Sequence, residues 1–273
     1  MKKKIIRNVF IAFIVIGLGI TFLLYNNQSK EKGDYPDEQK HIVSSEVKEE
    51  SENPVENHTS GQSESSNIRS WFEEEKDVSE KVDDHFPYSI PNSTLSIRAV
   101  KSYSGVYIED GSDKDISNIA AIILDNKGNE NIEYAKITLP YGEKEYIFEA
   151  KTLAAGATMV VQESTGAKYV EGEYGEATVV VATMEKMEMS EKSVELSETE
   201  SGALKIANIS GENIPCVRIF YKFYLEDIGV SVGGITYTSK ITELKAGETR
   251  VITPSHYDKD ASRVMMVRTY DTY

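Results

Sequence analysis

The chain has 273 residues and a formal net charge of −15, which leaves room for one or two domains and makes the surface strongly acidic. An acidic surface repels phosphate backbones, so nucleic-acid binding is excluded as an expected role. The single cysteine, Cys216, excludes an intrachain disulfide, and any domain must therefore be stable through packing alone.

Residues 8–25 are predicted to form a transmembrane signal anchor. A basic cluster within residues 1–7 precedes an uncharged apolar run, 9–25, that reaches about 26 Å as a helix and can cross the bilayer with its flanks. The basic residues 1–7 are expected to stay in the cytoplasm, which places the rest of the chain outside the cell. A cleaved signal peptide is the alternative, although its apolar core is usually shorter and no small-residue cleavage site follows the run.

Residues 26–87 are predicted to be a disordered acidic stalk. They carry 17 acidic and 7 basic side chains among few apolar ones, and such a composition does not offset the entropy of ordering. Residues 68–84 are the predicted exception, a short helix that ends before Pro87. Trp71 and Phe72 would then dock either on a partner or on the first folded module that follows in the chain.

Two copies of one sequence pattern follow the stalk. Short apolar segments recur at an offset of 82 residues, and a Leu-x-Ala-Gly-x-Thr element recurs at an offset of 91. The second copy therefore contains a nine-residue insertion between the two signatures, and Gly229–Gly234 is its natural position. The matched segments are Ile122–Asn126 with Leu204–Asn208, Glu130–Ile132 with Glu212–Ile214, Ile137–Leu139 with Ile219–Tyr221, Leu153–Thr158 with Leu244–Thr249, and Thr178–Thr183 with Arg263–Thr269.

These segments predict an all-β fold. They are short, rich in β-branched and aromatic residues, partly alternating in polarity, and bounded by Gly, Asn or Asp. In the repeated element we expect the leucine to fill the end of the core, the glycine to supply a bend and the threonine to begin a strand. Strands at this spacing indicate two tandem immunoglobulin-like β-sandwich modules, at 88–184 and 185–273.

The second module carries Phe223, Leu225 and Asp227 at alternate positions, with Glu226 between the last two. This spacing resembles the FxLYD-type sandwich domains of exported Gram-positive bacterial proteins, in which a tyrosine stands at the position of Glu226. The resemblance implies an immunoglobulin-like fold on a surface protein and transfers no catalytic residue. The other positions that carry it are Asn208, Gly211, Ile214 and the Leu244–Thr249 element.

No catalytic, metal or cofactor site is predicted. Cys216 lies at the start of a predicted strand and is expected to be a buried thiol rather than a nucleophile. His256 is expected in a turn that follows a strand. The acidic segment Glu109–Asp115 lacks the ligand order of an EF-hand, so a solvated hairpin loop is favoured over a calcium site.

The sequence therefore predicts a non-enzymatic interaction or structural protein of the bacterial cell envelope. It would be held in the membrane by residues 8–25 and would meet an unknown protein or cell-wall partner. The alternative is an accessory or sensor subunit of an envelope membrane complex. The candidate partner-binding loop is the insertion, with a β-bulge or a longer hairpin without a partner as the alternative; its residues are Gly229, Val230, Ser231, Val232, Gly233 and Gly234.

Overall fold

A computed structural model describes residues 67–73, 85–112, 114–190 and 192–272. The predicted cytoplasmic tail, the predicted transmembrane segment 8–25 and most of the predicted stalk lie outside these residues. Among the residues that are described, no helix has both the length and the apolar character needed to span a bilayer.

The described part is mostly β-strand, with one short helix, α1, at residues 67–73. The predicted all-β class is confirmed. The strands are β1 (Tyr88–Ser89), β2 (Leu95–Tyr107), β3 (Lys114–Asn126), β4 (Asn131–Tyr141), β5 (Lys144–Leu153), β6 (Thr158–Gln162), β7 (Thr178–Met184), β8 (Val194–Glu198), β9 (Leu204–Asn208), β10 (Ile214–Leu225), β11 (Val230–Leu244), β12 (Thr249–Ile252) and β13 (Ser262–Tyr270).

The sequence repeat is also a repeat of strand order. In the first copy, β2 to β7, the strands are ordered β2-β3-β6 and β5-β4-β7; in the second copy, β8 to β13, the orders are β8-β9-β12 and β11-β10-β13. The pairing register is repeated as well. Ile132 lies opposite Leu153 in the first copy, and the equivalent Ile214 lies opposite Leu244 in the second.

An asparagine at the end of β3 in the first copy, and its counterpart at the end of β9 in the second, organise the same hydrogen bonds. Asn126 Nδ2 donates to the carbonyls of Glu130, at 2.8 Å, and Ala154, at 3.1 Å. Asn208 Nδ2 donates to the equivalent carbonyls of Glu212, at 2.8 Å, and Lys245, at 3.0 Å. Each side chain thus ties two loops to the strand end, and we call this arrangement the asparagine knot.

The Leu-x-Ala-Gly-x-Thr element behaves as predicted in both copies. The leucines Leu153 and Leu244 are buried, and the glycines Gly156 and Gly247 adopt φ of 70° and 71° in the left-handed region that favours glycine. The following threonine is the first residue of β6 in one copy and of β12 in the other.

Each copy has its own apolar core between its two sets of strands. In the first copy, Leu124 of β3 and Phe148 of β5 belong to one buried cluster. In the second, Ile206 of β9 and Ile219 of β10 belong to another. Cys216 is 1% exposed, so the predicted burial of its thiol is confirmed.

The two copies are joined through one continuous sheet. The β6 edge of the first copy pairs in parallel with β11 of the second, giving a seven-stranded sheet with the order β1-β2-β3-β6-β11-β10-β13. A third buried apolar cluster, with residues from both copies, lies at this junction. The predicted boundary between residues 184 and 185 falls between β7 and β8, yet both copies belong to the same compact unit.

Candidate functional site

The nine-residue insertion forms the tip of the β10–β11 hairpin. Up to the pair Tyr221 and Tyr237 the register matches that of β4 and β5, but the next pair is Phe223 with Val232. Residues 233–236 therefore lie opposite Lys222 as an irregular bulge of four residues. The predicted location of the insertion, between paired strands, is confirmed, and its local geometry is that of the alternative interpretation, a longer hairpin with a β-bulge.

The tip of this hairpin contacts the first copy instead of projecting as a loop. Three of its residues, Val230, Ser231 and Val232, pair with Thr158–Val160 of β6 and are only 2%, 3% and 6% exposed. Their backbone groups complete the open edge of β6, and the two valines join the apolar cluster at the junction. Contact of this segment with an outside partner stays a prediction; the surface that it contacts in the structure belongs to its own chain.

Two glycines allow the copies to approach each other at backbone distance. A Cβ atom on Gly233 would lie 2.6 Å from Ile108 Cγ2, and Gly233 has a φ of +84°. A Cβ atom on Gly234 would lie 1.7 Å from the carbonyl oxygen of Glu149, far inside contact distance. Glycine at these two positions therefore permits a close backbone approach to the first copy of the same chain.

Two oppositely charged side chains meet the peptide groups of this bulge. Glu109, from the turn after β2, accepts hydrogen bonds from the amides of Gly234, at 2.8 Å, and Gln162, at 2.9 Å. Lys222 is fully buried, and its Nζ donates to the carbonyls of Gly233, at 3.1 Å, Gly234, at 3.2 Å, and Ile235. The peptide group between Gly233 and Gly234 thus links a carboxylate of the first copy, through its N–H, to an ammonium of the second, through its carbonyl.

The position of Glu109 corrects the prediction that residues 109–115 form a solvated loop. Asp110 is exposed and accepts a hydrogen bond from the amide of Ser112, as a solvated turn requires. The side chain of Glu109 instead turns inward, because the amides of Gln162 and Gly234 offer it donors that would otherwise be buried without acceptors.

Burial shifts both charged groups toward neutrality. Desolvation raises the pKa of Glu109 to about 7, against the hydrogen bonds from Gly234 and Gln162 and the attraction of Lys222. Desolvation also lowers the pKa of Lys222 to about 7, against the attraction of Glu109. The junction therefore holds two groups whose charged and neutral forms lie close in free energy at neutral pH.

Gln162, the last residue of β6, and Glu163, which follows it, are buried polar residues of the first copy. Gln162 is fully buried; its side chain accepts from the Ile108 amide and donates to the Val106 carbonyl. Glu163 is 1% exposed and accepts from several backbone amides, including that of Ile147 at 3.0 Å. Both side chains therefore have hydrogen-bond partners within the first copy.

Helix α1 lies across the junction and contacts both copies. Ile68 and Trp71 are buried in the apolar cluster of the junction, and Trp71 meets Tyr103 edge-on at 6.3 Å. Arg69 forms an ion pair with Asp227 of the hairpin tip at 2.6 Å. The contact of Trp71 is with its own chain, and α1 lies at the start of the helix predicted over residues 68–84, of which 74–84 are outside the described residues.

The remaining candidate residues do not form a catalytic arrangement within the described ranges. His256 lies in a turn, as predicted, and its ring stacks on Tyr237 at 4.5 Å. In the part of the chain that is described, no group of three or more metal-ligating side chains comes together. Two surface clefts have volumes of about 510 Å³, near Asn213 and Tyr270, and about 350 Å³, near Phe86 and Tyr174.

The comparisons with known proteins add no relative: no family model matches the sequence, and no curated protein matches it. The geometry itself defines the class, a protein of two repeated β modules that are locked together by a strand of one module on the sheet edge of the other.

The sequence interpretation named the inserted segment and Trp71, but it missed the polar contacts of Glu109, Lys222 and Gln162 at the junction. One signal was present. Lys222 stands within an aromatic and aliphatic run, Ile219–Leu225, where a lysine has to be either exposed at an edge or buried with acceptors. Glu109 offered no comparable signal, because neighbouring acidic and polar residues are typical of a solvated turn.

Proposed function

We propose that the protein is a membrane-anchored, extracellular interaction or structural protein of the bacterial cell envelope and that it is not an enzyme. In this proposal residues 8–25 are the anchor, and the two copies are immunoglobulin-like sandwich modules of the FxLYD type. Its partners are another protein or the cell wall. The basic cluster before the apolar run and the acidic segment after it support the orientation.

The observation that carries the proposal is the junction itself. The second copy contacts the first through its insertion. Two glycines allow the close backbone approach, and a buried lysine binds the carbonyls of the bulge. Enzymes that enclose a substrate between domains usually need relative motion of those domains. A fixed pair of modules instead presents its outer surfaces at a constant distance, which suits display and recognition.

Protease treatment of intact cells tests the location. We expect external protease to remove the modules and to leave the anchor in the membrane fraction, whereas a cytoplasmic control protein stays intact. Protein that starts near Asn26 and is recovered whole from the medium would show that the apolar segment is cleaved. Protection of the modules until the cells are permeabilised would contradict the extracellular proposal.

The alternative, an accessory or sensor subunit of a membrane complex, is favoured by one contact. Helix α1 is the first described element after the N-terminal part of the chain, and it binds both copies beside the junction. A partner that acts on the N-terminal part of the chain would therefore reach the junction through α1.

Capture experiments distinguish the two candidates. The full chain and a chain without residues 1–25 are each presented to cell-wall fragments and to detergent-solubilised membranes. Equal capture of both chains on cell-wall material is expected from the interaction role. The accessory role predicts that solubilised membranes capture the full chain but not the chain without residues 1–25. If neither cell-wall fragments nor membranes capture either chain, the interaction role is contradicted.

A further inference from the structure

Five of the six outer strands in the sheets of the described part are protected against pairing with another chain. Natural sheets protect their edges by short length, charged side chains or a covering segment, because an open edge is a template for strand addition. The six outer strands are β1 and β13 of the long sheet, β8 and β12 of the second sheet, and β5 and β7 of the third.

Four of these edges are protected by length or charge. β1 has two residues and β12 has four, and Arg250 of β12 is held by the carbonyls of Thr242 and Glu243. β8 is short and carries Glu195 and Glu198. β5 carries four charged residues, Lys144, Glu145, Glu149 and Lys151.

The edge of β13 is protected by a covering segment. Met189 bridges to Val267 in parallel orientation, the Val267 amide donates to the Glu188 carbonyl at 3.1 Å, and Ser190 Oγ donates to the Val267 carbonyl at 2.9 Å. An extended segment therefore occupies this edge through backbone hydrogen bonds.

The edge of β7 has none of these protections. Its seven residues, Thr178–Met184, include no charged side chain and three successive valines, and Val180 is 69% exposed. It pairs with β4 on one side, and no strand of the described residues lies on the other.

The repeat indicates what such an edge accepts. Ile137 pairs with Val179, and its counterpart at the offset of 82, Ile219, pairs with Val267, so β7 occupies in the first copy the position of β13 in the second. The second copy covers this position with its own residues 188–190, and the first copy leaves it open. By analogy with residues 188–190 on β13, the segment that fits the open edge of β7 is an extended one.

Charge defines the occupant further. The residues that flank the strand, 171–177 and 185–188, contain five glutamates and a single lysine. A second copy of the chain would bring the same carboxylates to the edge, whereas lysines or arginines beside an uncharged strand would be attracted.

We propose that the open edge of β7 is a strand-addition site for an extended segment of a partner protein, uncharged over about six residues and basic at its ends. The site gives the proposed interaction role a surface, and it rests on that role only in the assumption that a partner protein exists. Pairing would be through backbone hydrogen bonds, with selectivity from alternate side chains and flanking charge.

A synthetic peptide tests the site on the full-length protein. The probe is Lys-Lys-Thr-Val-Thr-Val-Thr-Val-Lys-Lys with blocked ends, measured by fluorescence anisotropy, and hydrogen exchange locates the bound peptide. We expect saturable binding with slower exchange of amides within residues 178–184. A peptide of the same sequence, N-methylated at alternate residues, should bind at least tenfold more weakly because it cannot complete the pairing.

Two matched variants separate this edge from other exposed valines. Val180→Lys should weaken binding of the probe at least tenfold, whereas Val251→Lys, which adds the same charge at a 57% exposed valine on β12, should leave it unchanged.

Unaltered binding to Val180→Lys, or equal binding of the N-methylated peptide, would overturn the site. Equal binding of a glutamate-flanked peptide would overturn the charge preference. A dimer of the unmodified protein that Val180→Lys dissociates would replace the partner segment by a second copy. None of these results alters the protease test of location, so failure here is distinguishable from failure of the proposed function.

Discussion

The two central hairpins of the repeat share a register and differ at their tips. The β4–β5 hairpin closes immediately after Tyr141 pairs with Lys144, whereas the β10–β11 hairpin continues for nine more residues. The short tip ends in solvent, and the long tip completes the sheet of the other copy. Because loop length alone changes stability little, about 0.6 kcal/mol per doubling, the contacts of the long tip explain its presence. One insertion has turned two similar modules into a single body.

The largest expected effect is at Gly234, where the two copies touch through their backbones. Gly234→Ala places a Cβ atom 1.7 Å from the Glu149 carbonyl oxygen, so the tip has to move off the first copy. We expect the unfolding free energy to fall by more than about 4 kcal/mol, because losses of this size arise from a few mechanisms that include steric overpacking. Urea denaturation measures it. Gly211→Ala, with nothing within 4 Å of the added atom, is the matched control and should cost less than about 0.5 kcal/mol. Equal midpoints for the two variants would show that the copies do not depend on this contact.

Removal of the buried ammonium should have the next largest effect. Lys222→Met leaves the carbonyls of Gly233 and Gly234 without their donor and leaves Glu109 without its counter-charge. Breaking a buried pair from one side costs about 3–5 kcal/mol, and we expect about 3 kcal/mol here because Glu109 can take up a proton. The double variant with Glu109→Gln should recover part of the loss. A double variant that is less stable than Lys222→Met would contradict the coupling of the two groups.

The pH dependence of the same pair sharpens this prediction. The raised pKa of Glu109 contributes stability that is fully present below its unfolded pKa of 4.5 and is lost as the pH rises through about 7. The lowered pKa of Lys222 contributes stability that is present above its unfolded pKa of 10.5 and is lost as the pH falls through about 7. The unfolding free energy of the wild type minus that of the double variant should therefore be lowest near pH 7 and higher at both pH 5 and pH 9. A maximum near pH 7 would mean that the charged pair is net stabilising.

The asparagine knots should respond alike in the two copies. Asn126→Ala and Asn208→Ala each leave loop carbonyls without a donor, which costs about 1–3 kcal/mol per site. We expect the two losses to agree within about 1 kcal/mol, measured by thermal and urea unfolding, because the partners are equivalent. Asn208 also donates to the Leu244 carbonyl, so any difference should make its variant the less stable one. A much larger loss at Asn126 would show that the copies are not energetically equivalent.

The smallest expected effect is at the ion pair between α1 and the hairpin tip. The side chains of Arg69 and Asp227 are 36% and 50% exposed, and such pairs contribute about 0–1 kcal/mol. Asp227→Asn should therefore change the unfolding free energy by less than about 1 kcal/mol. Asp125→Asn is the control, since Asp125 pairs with Arg98 at 13% exposure and should cost more. A larger loss at Asp227 would indicate that α1 is held mainly by charge and not by Ile68 and Trp71.

Much of each module could be predicted from sequence because its signals are local. The bend at Gly156 and Gly247 follows from glycine in a fixed spacing between leucine and threonine, and the burial of Cys216 follows from its strand context. The place of the insertion followed from two offsets that differ by nine. The proposed identity of the modules as FxLYD-type domains stays a prediction.

The candidate site could not be predicted in the same way. Val230 and Val232 do not distinguish an exposed loop from a strand that pairs with another sheet. Valines between glycines are compatible with either structure. Glu109 and Lys222 are 113 positions apart, and their approach depends on how β2 and β10 are placed by the intervening strands. The open edge of β7 likewise became visible only beside the protected edges of the other strands.

The β-strand content, the two copies, the turns that bound their strands and the position of the extra residues could be read from the chain alone. Alternation and glycine spacing act within a few residues, and the repeat is visible by aligning the chain with itself. The fold was needed to see that the extra residues lie in a shared sheet, that a glutamate and a lysine meet at one peptide group, and that one strand edge is uncovered by the described residues. These features arise from contacts between distant segments, and their free energies depend on burial and on backbone partners that no local pattern specifies.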